Sequence, residues 1–178
     1  KVMPKDFIEV NLSGRKVGGK LEPPNEVFLH TAIYSKRKDV NAIVYTHPFY
    51  STIFGIVGKQ IVPLLANCTF LQSAIPIFDD PRSIGTAEMA KTLTDKLGSS
   101  FALLMRGSGM VTVAGTIQEA TLLSILIEKS AKIQYMASAI GEPREIVANE
   151  VPGKFGKMPA HFFESSWGHY VSKSNGSC

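Results

Sequence analysis

Two apolar runs of strand length, Phe101 to Met105 and Met110 to Ala114, flank the four residues Arg106-Gly107-Ser108-Gly109. Strand-forming residues on both sides of so short a Gly-containing turn predict a tight antiparallel hairpin. Directly after it, Thr116-Ile-Gln-Glu119 has the spacing of a capping box. The box opens the longest predicted helix, which carries apolar residues through Ala139 and stops at Gly141, ahead of Pro143. A hairpin feeding a long helix, with further helices interspersed, favours a sheet flanked by helices over a purely parallel, doubly wound fold.

Upstream, Asp6 to Leu12 and Lys16 to Lys20 read as the arms of a smaller hairpin around Ser13-Gly14. Pro23-Pro24-Asn25 breaks the chain, and Val27, Phe28, Ala32 and Ile33 then fall at helical spacing up to the basic triplet Lys36-Arg37-Lys38. Asn41 to Thr46 reads as a buried strand that runs straight into a helix at His47-Pro48. Ala74 to Phe78 is a short predicted strand, and Thr86 to Leu97 is a helix closed by Gly98. From Glu142 onward Pro143, Pro152, Gly153, Gly156 and Pro159 interrupt the chain. Phe162, Phe163, Trp167 and Tyr170 then cluster in a terminal segment that reads as a short helix. Residues 1–178 are expected to be a single domain, with 142–178 as a C-terminal extension.

Composition narrows the class. With 44% hydrophobic and 19% charged residues, 178 residues form a packed core without metal or disulfide staples. Cys68 lies in an apolar stretch and Cys178 is the last residue, so no bridge is expected and the cytoplasm is the expected compartment. No apolar run approaches the roughly 20 residues of a membrane span. The formal charge of +4 is scattered apart from the one basic triplet, which argues against nucleic acid. There is no Gly-rich dinucleotide fingerprint and no Walker loop, and Arg106-Gly-Ser-Gly109 lies between strands, so it reads as a plain turn.

Pro24-Asn-Glu26-Val-Phe-Leu-His30-Thr-Ala-Ile-Tyr34, then Asp39-Val-Asn-Ala-Ile-Val-Tyr45-Thr-His47-Pro48, resembles the class II aldolase/adducin family. Phe101 to Gly115, Glu119-Ala120 and Glu128-Lys-Ser-Ala131 continue the likeness, which covers most of the chain from Met3 to Gly141. The resemblance implies a three-layer α/β/α fold with a mainly antiparallel central sheet, and a homo-oligomer, a tetramer, with sites at its interfaces. It implies a divalent metal, zinc, manganese or iron, held by three histidines, with an acid at the position of Glu26. Imidazoles at i and i+2 of a strand share a face, and a cation between them polarises a substrate carbonyl. Here Tyr45 and Ser108 stand at two of the three histidine positions, and His47 remains. A phenol with an ordinary pKa near 10 and a serine hydroxyl are poor zinc ligands, so a tight site from His47 and Glu26 alone is not expected.

The family also implies anion-binding turns ahead of Lys1, and neither is visible in this sequence, so either the amino end is truncated or disordered or the anion-binding half of the pocket is absent. Ile75 to Thr86, Gly141-Glu-Pro-Arg144 and Trp167-Gly-His-Tyr170 resemble the decarboxylase branch more than the sugar-phosphate aldolases.

The candidate site comprises Glu26 and Tyr45 as catalytic groups, His47 as the remaining metal-ligand position, and Arg106, Ser108 and His169 as substrate-binding groups. Each has a plainer reading. Glu26 suits a helix start, His47 a helix cap, Tyr45 an ordinary strand, Arg106 a solvated turn, and His169 packing beside Trp167 and Tyr170. His30, one turn after Glu26, reads as structural.

Three functions follow. The first is a lyase that cleaves or decarboxylates a small oxygenated carboxylic acid with an altered or absent metal site. The second is a non-catalytic, adducin-like oligomerisation or binding domain. The third is a metal-dependent decarboxylase or oxygenase completed by His161 or His169. No nucleic acid or membrane partner is expected.

Overall fold

A computed structural model describes residues 3–72, 74–151 and 160–176. The first hairpin forms as β1 (Glu9–Val10) and β2 (Lys16–Gly18), an antiparallel pair apart from the main sheet. Its turn is organised by Asn11, whose Oδ1 accepts from the Ser13 and Arg15 N–H groups, both at 3.0 Å.

Helix α1 (Val27–Lys36) follows the proline break. The basic triplet at its end does more than complement the helix dipole. The Arg37 guanidinium donates to the carbonyls of Gly98 and Ser100, at 2.8 and 3.0 Å, and pairs with Asp39, tying the end of α1 to the far end of a later helix. The chain then forms β3 (Ala42–Thr46) and α2 (Phe49–Val57), with Pro48 as N-cap in extended conformation. β4 (Ile77–Phe78) leads through α3 (Ala87–Leu97) to β5 (Ala102–Met105). Thr86 caps α3 by accepting from the Met89 N–H.

The turn Arg106-Gly107-Ser108 returns the chain as β6 (Gly109–Ala114). Helix α4 (Ile117–Ser138) opens as expected at Thr116, whose hydroxyl oxygen accepts from the Glu119 N–H at 3.2 Å. Only that half of the capping box forms. The terminal segment is a helix of 17 residues, α5 (Ala160–Gly176), and it packs on α4. Pro152, Gly153, Gly156 and Pro159, and the side chain of Phe162, lie outside the described residues.

The central sheet has the order β3-β6-β5-β4. It is mixed, not mainly antiparallel as expected. β3 and β5 run antiparallel to β6, while β4 and β5 run parallel. The reason is the connection: a strand joined to the next through a whole helix, here α3, is a crossover that returns in the same direction.

Both sheet faces are covered. On one, Leu29 and Ile33 of α1 and Leu93 and Leu97 of α3 pack on Ile43, Leu103, Met105, Val111 and Val113. On the other, Phe54 of α2 and Leu123, Ile127 and Ala131 of α4 pack on Ala102, Leu104 and Met110. Successive strand residues thus serve opposite layers, which is why β5 is apolar throughout. The free Cys68 is buried in the α2 and α4 layer.

Candidate functional site

The period of two along β3 sorts its side chains. Ile43 and Tyr45 face the α1 and α3 layer, whereas the Thr46 hydroxyl meets the Ser124 hydroxyl of α4 at 3.1 Å. His47 follows Tyr45 by two residues, and their rings meet edge to face with centroids 4.8 Å apart.

The β5–β6 turn closes on this end of β3. Gly107 adopts φ +74° and Gly109 φ +134°. Gly109 has a second reason to lack a side chain: a Cβ there would lie 2.1 Å from the Thr46 carbonyl oxygen and 3.0 Å from the His47 Cα. This contact presses the turn against the strand end and brings Ser108 within reach of both side chains. The Tyr45 and Ser108 hydroxyls are 2.7 Å apart, and the His47 Nδ1 is hydrogen-bonded to the Ser108 carbonyl. A carbonyl only accepts, so Nδ1 carries a proton, and in the corresponding tautomer Nε2 is the acceptor. Two hydroxyls that share one hydrogen bond retain one O–H to donate. The cluster therefore offers one base and one proton donor side by side.

Glu26 stands at the N-cap of α1, where its carboxylate accepts no capping hydrogen bond. It acts electrostatically on His30. Burial pushes the His30 imidazole below its usual range, and the Glu26 charge partly opposes that.

Arg106 and His169 lie elsewhere. The Arg106 guanidinium pairs with Asp79 and lines a cavity of about 380 Å³ with Gly55 and Ile77, on the α2 side of the turn. His169 is on α5, facing α4, with its ring edge to face with Tyr170 at 5.5 Å. The His161 side chain is outside the described residues. Among the described residues no three His, Cys, Asp or Glu side chains converge as a metal site. The donors at the strand end are one imidazole, half engaged by a carbonyl, a phenol and an alcohol, a set that does not fit a divalent metal.

Glu128 of α4 escaped the sequence reading as a site residue. Its carboxylate accepts from the N–H groups of Tyr50 and Ser51, both at 2.9 Å, and from the buried Ser51 hydroxyl at 2.7 Å. It clamps the first turn of α2, two residues beyond His47-Pro48, where a carboxylate also meets the positive end of the helix dipole. The signal was there: Ser124, Ile127, Glu128 and Ala131 fall at i, i+3, i+4 and i+7, which places an acid on the inward face of a helix.

Comparison with known proteins agrees with this architecture. The family model described as the class II aldolase and adducin N-terminal domain matches residues 1–135. The chain is 27% identical over 148 residues to a 5-deoxy-D-ribulose 1-phosphate aldolase of Bacillus thuringiensis serovar kurstaki, covering 83% of this chain and 69% of that protein. It is 22% identical to a 3,4-dihydroxyphthalate decarboxylase of Arthrobacter keyseri, over 94% of this chain and 72% of the relative. The fold superposes on an L-fuculose 1-phosphate aldolase from Glaciozyma antarctica PI12 with a TM-score of 0.79 at 23% identity, covering 97% of this chain and 70% of that one.

Proposed function

The chain belongs to the class II aldolase and adducin N-terminal domain family, and from that premise we propose that it is a lyase which cleaves or decarboxylates a small oxygenated carboxylic acid through proton donors instead of a three-histidine metal. The observation that carries this reading is the Tyr45, Ser108 and His47 cluster.

Carbon–carbon cleavage next to a hydroxyl needs a base for that hydroxyl and a donor for the oxygen that becomes an enolate. Nε2 of His47 is the base. The spare O–H of the Tyr45 and Ser108 pair is the donor. Loss of CO₂ from a 3-oxo acid leaves an enolate that the same donor holds. Glu26, at the start of α1, takes the part of the group that hands a proton back to carbon. His47 is exposed, so the cluster is open on this chain, and a neighbouring copy in a homo-oligomer would wall that side.

The test is a screen of small hydroxy and oxo acids for CO₂ or carbonyl product. Turnover that falls at least 100-fold in Glu26→Gln and in His47→Ala supports the reading, and turnover unchanged in both removes it. Stoichiometric metal in the purified protein, lost in His47→Ala, would also overturn it.

One observation favours a second reading, a non-catalytic oligomerisation domain. Phe49, Tyr50 and Tyr135 form a chain of ring contacts with Phe49 72% exposed, and Ile140, just past α4, is 92% exposed. An apolar surface of this kind suits a second copy. A stable oligomer that turns over none of the screened acids would favour it.

A further inference from the structure

The outer side of α4 holds a crevice of about 310 Å³ that the cluster at the strand end does not use. Its floor is Leu122 and Leu126, and its walls bring together Asn67, Lys129, Ser166, His169 and Tyr170. These side chains share one property: each can donate a hydrogen bond, and Lys129 adds a full positive charge.

Among the described residues no carboxylate lines the crevice, although acids adjoin it in sequence. Glu128, next to Lys129, is turned inward onto the first turn of α2. Glu164, on α5, lines a separate groove with Phe163, Trp167 and Glu119. The polar groups are also oriented. The Asn67 Oδ1 faces the Cys68 thiol at 3.5 Å, leaving the amide NH₂ as the group to offer. Burial raises the Cys68 thiol pKa, and a hydrogen bond with Ser130 and then the charge of Lys129 oppose the rise.

We propose that this crevice binds a small organic phosphate, at a site separate from the Tyr45, His47 and Ser108 cluster. The donors outnumber what the two oxygens of a carboxylate can accept, and they suit the three terminal oxygens and near-double charge of a phosphate monoester. The Leu122 and Leu126 floor and the Tyr170 ring take its carbon body. The volume sits at the lower end for small-molecule sites, which limits the body to about one ring.

The experiment titrates the full chain with phenyl phosphate, inorganic phosphate and benzoate, following the ring resonances of His169 and Tyr170 by NMR. Saturable shifts with phenyl phosphate, binding at least tenfold tighter than benzoate, are expected. Lys129→Met should weaken that binding at least tenfold, Lys129→Arg should keep it within threefold, and His47→Ala should leave it unchanged. Ser166→Ala gives a second, milder loss should Lys129→Met fail to fold. Absence of saturable shifts, equal affinity in Lys129→Met, or loss in His47→Ala would each overturn the proposal. Inorganic phosphate binding as tightly as phenyl phosphate would overturn the role given to the leucine floor. None of these outcomes depends on turnover, so failure here leaves the lyase reading standing.

Discussion

His47 and His169 are the same residue type in two differently built regions. His47 sits where a strand end, a tight turn and a helix start are pressed together, so its ring is fixed through Nδ1 and its tautomer is decided by a backbone carbonyl. His169 is an exposed residue on a helix laid along the outside of α4, with an aromatic neighbour and freedom to turn. The contrast teaches that a side chain is given chemistry by what holds its backbone. The first region suits the directed proton transfer proposed for it, and the second the proposed recognition by summed weak donors.

The sharpest way to break this comparison is Gly109→Ala. A Cβ 2.1 Å from the Thr46 carbonyl oxygen at φ +134° must move the turn or the strand end. We expect a loss of roughly 4 kcal/mol in denaturant unfolding, combining backbone strain with overpacking. A variant within about 0.5 kcal/mol of the parent would show that the turn is not pressed on β3.

Next is Glu128→Ala, which strips three hydrogen bonds from the start of α2. It should cost about 2–3 kcal/mol and should change the His47 ring resonances while leaving those of His169 in place. Equal shifts at both rings would abolish the distinction between the regions.

Tyr45→Phe removes only the hydroxyl pair with Ser108 and should cost about 1 kcal/mol while reducing turnover far more than stability. Lys129→Met, on the exposed region, should change stability by under about 0.5 kcal/mol.

The smallest effect concerns pH. Burial lowers the His30 pKa from 6.5, so the folded state favours the neutral ring. The folded value lies below the unfolded one, so this contribution is complete above about 6.5 and is lost as pH falls through the lowered value. Melting temperature should decline on acidification from that point, His30→Gln should flatten the decline, and Glu26→Gln should steepen it. A profile identical in all three proteins would refute the His30 environment described above.

Much of this architecture was legible because its signals are local. Pro48, Gly98 and Thr116 punctuate helices through their own backbone preferences, and the apolar runs around Arg106-Gly-Ser-Gly109 make a hairpin with no help from distant residues. The sheet's mixed character was less visible. Ile77–Phe78 is too short to show a direction by pattern, and its pairing with β5 follows from the α3 crossover. The site divided in the same way. Tyr45 and His47 share a face by strand period alone, whereas the carbonyl of Ser108 reaching His47 across 61 positions depends on where the turn lands. Arg106 read as a substrate-binding group or a solvated turn residue, and its guanidinium is drawn to Asp79, 27 positions away.

The sequence by itself determined the elements and the two apolar layers, because these depend on residue identity and spacing, and its resemblance to the family implied imidazoles where Tyr45 and Ser108 stand. Only the tertiary structure decided that Gly109 admits the turn to the strand end, that Nδ1 of His47 is spoken for, and that Glu128 points inward while Lys129 points out. Such choices arise from contacts between residues far apart in the chain, where closeness comes from the packing of whole elements and leaves no periodic mark in the order of amino acids.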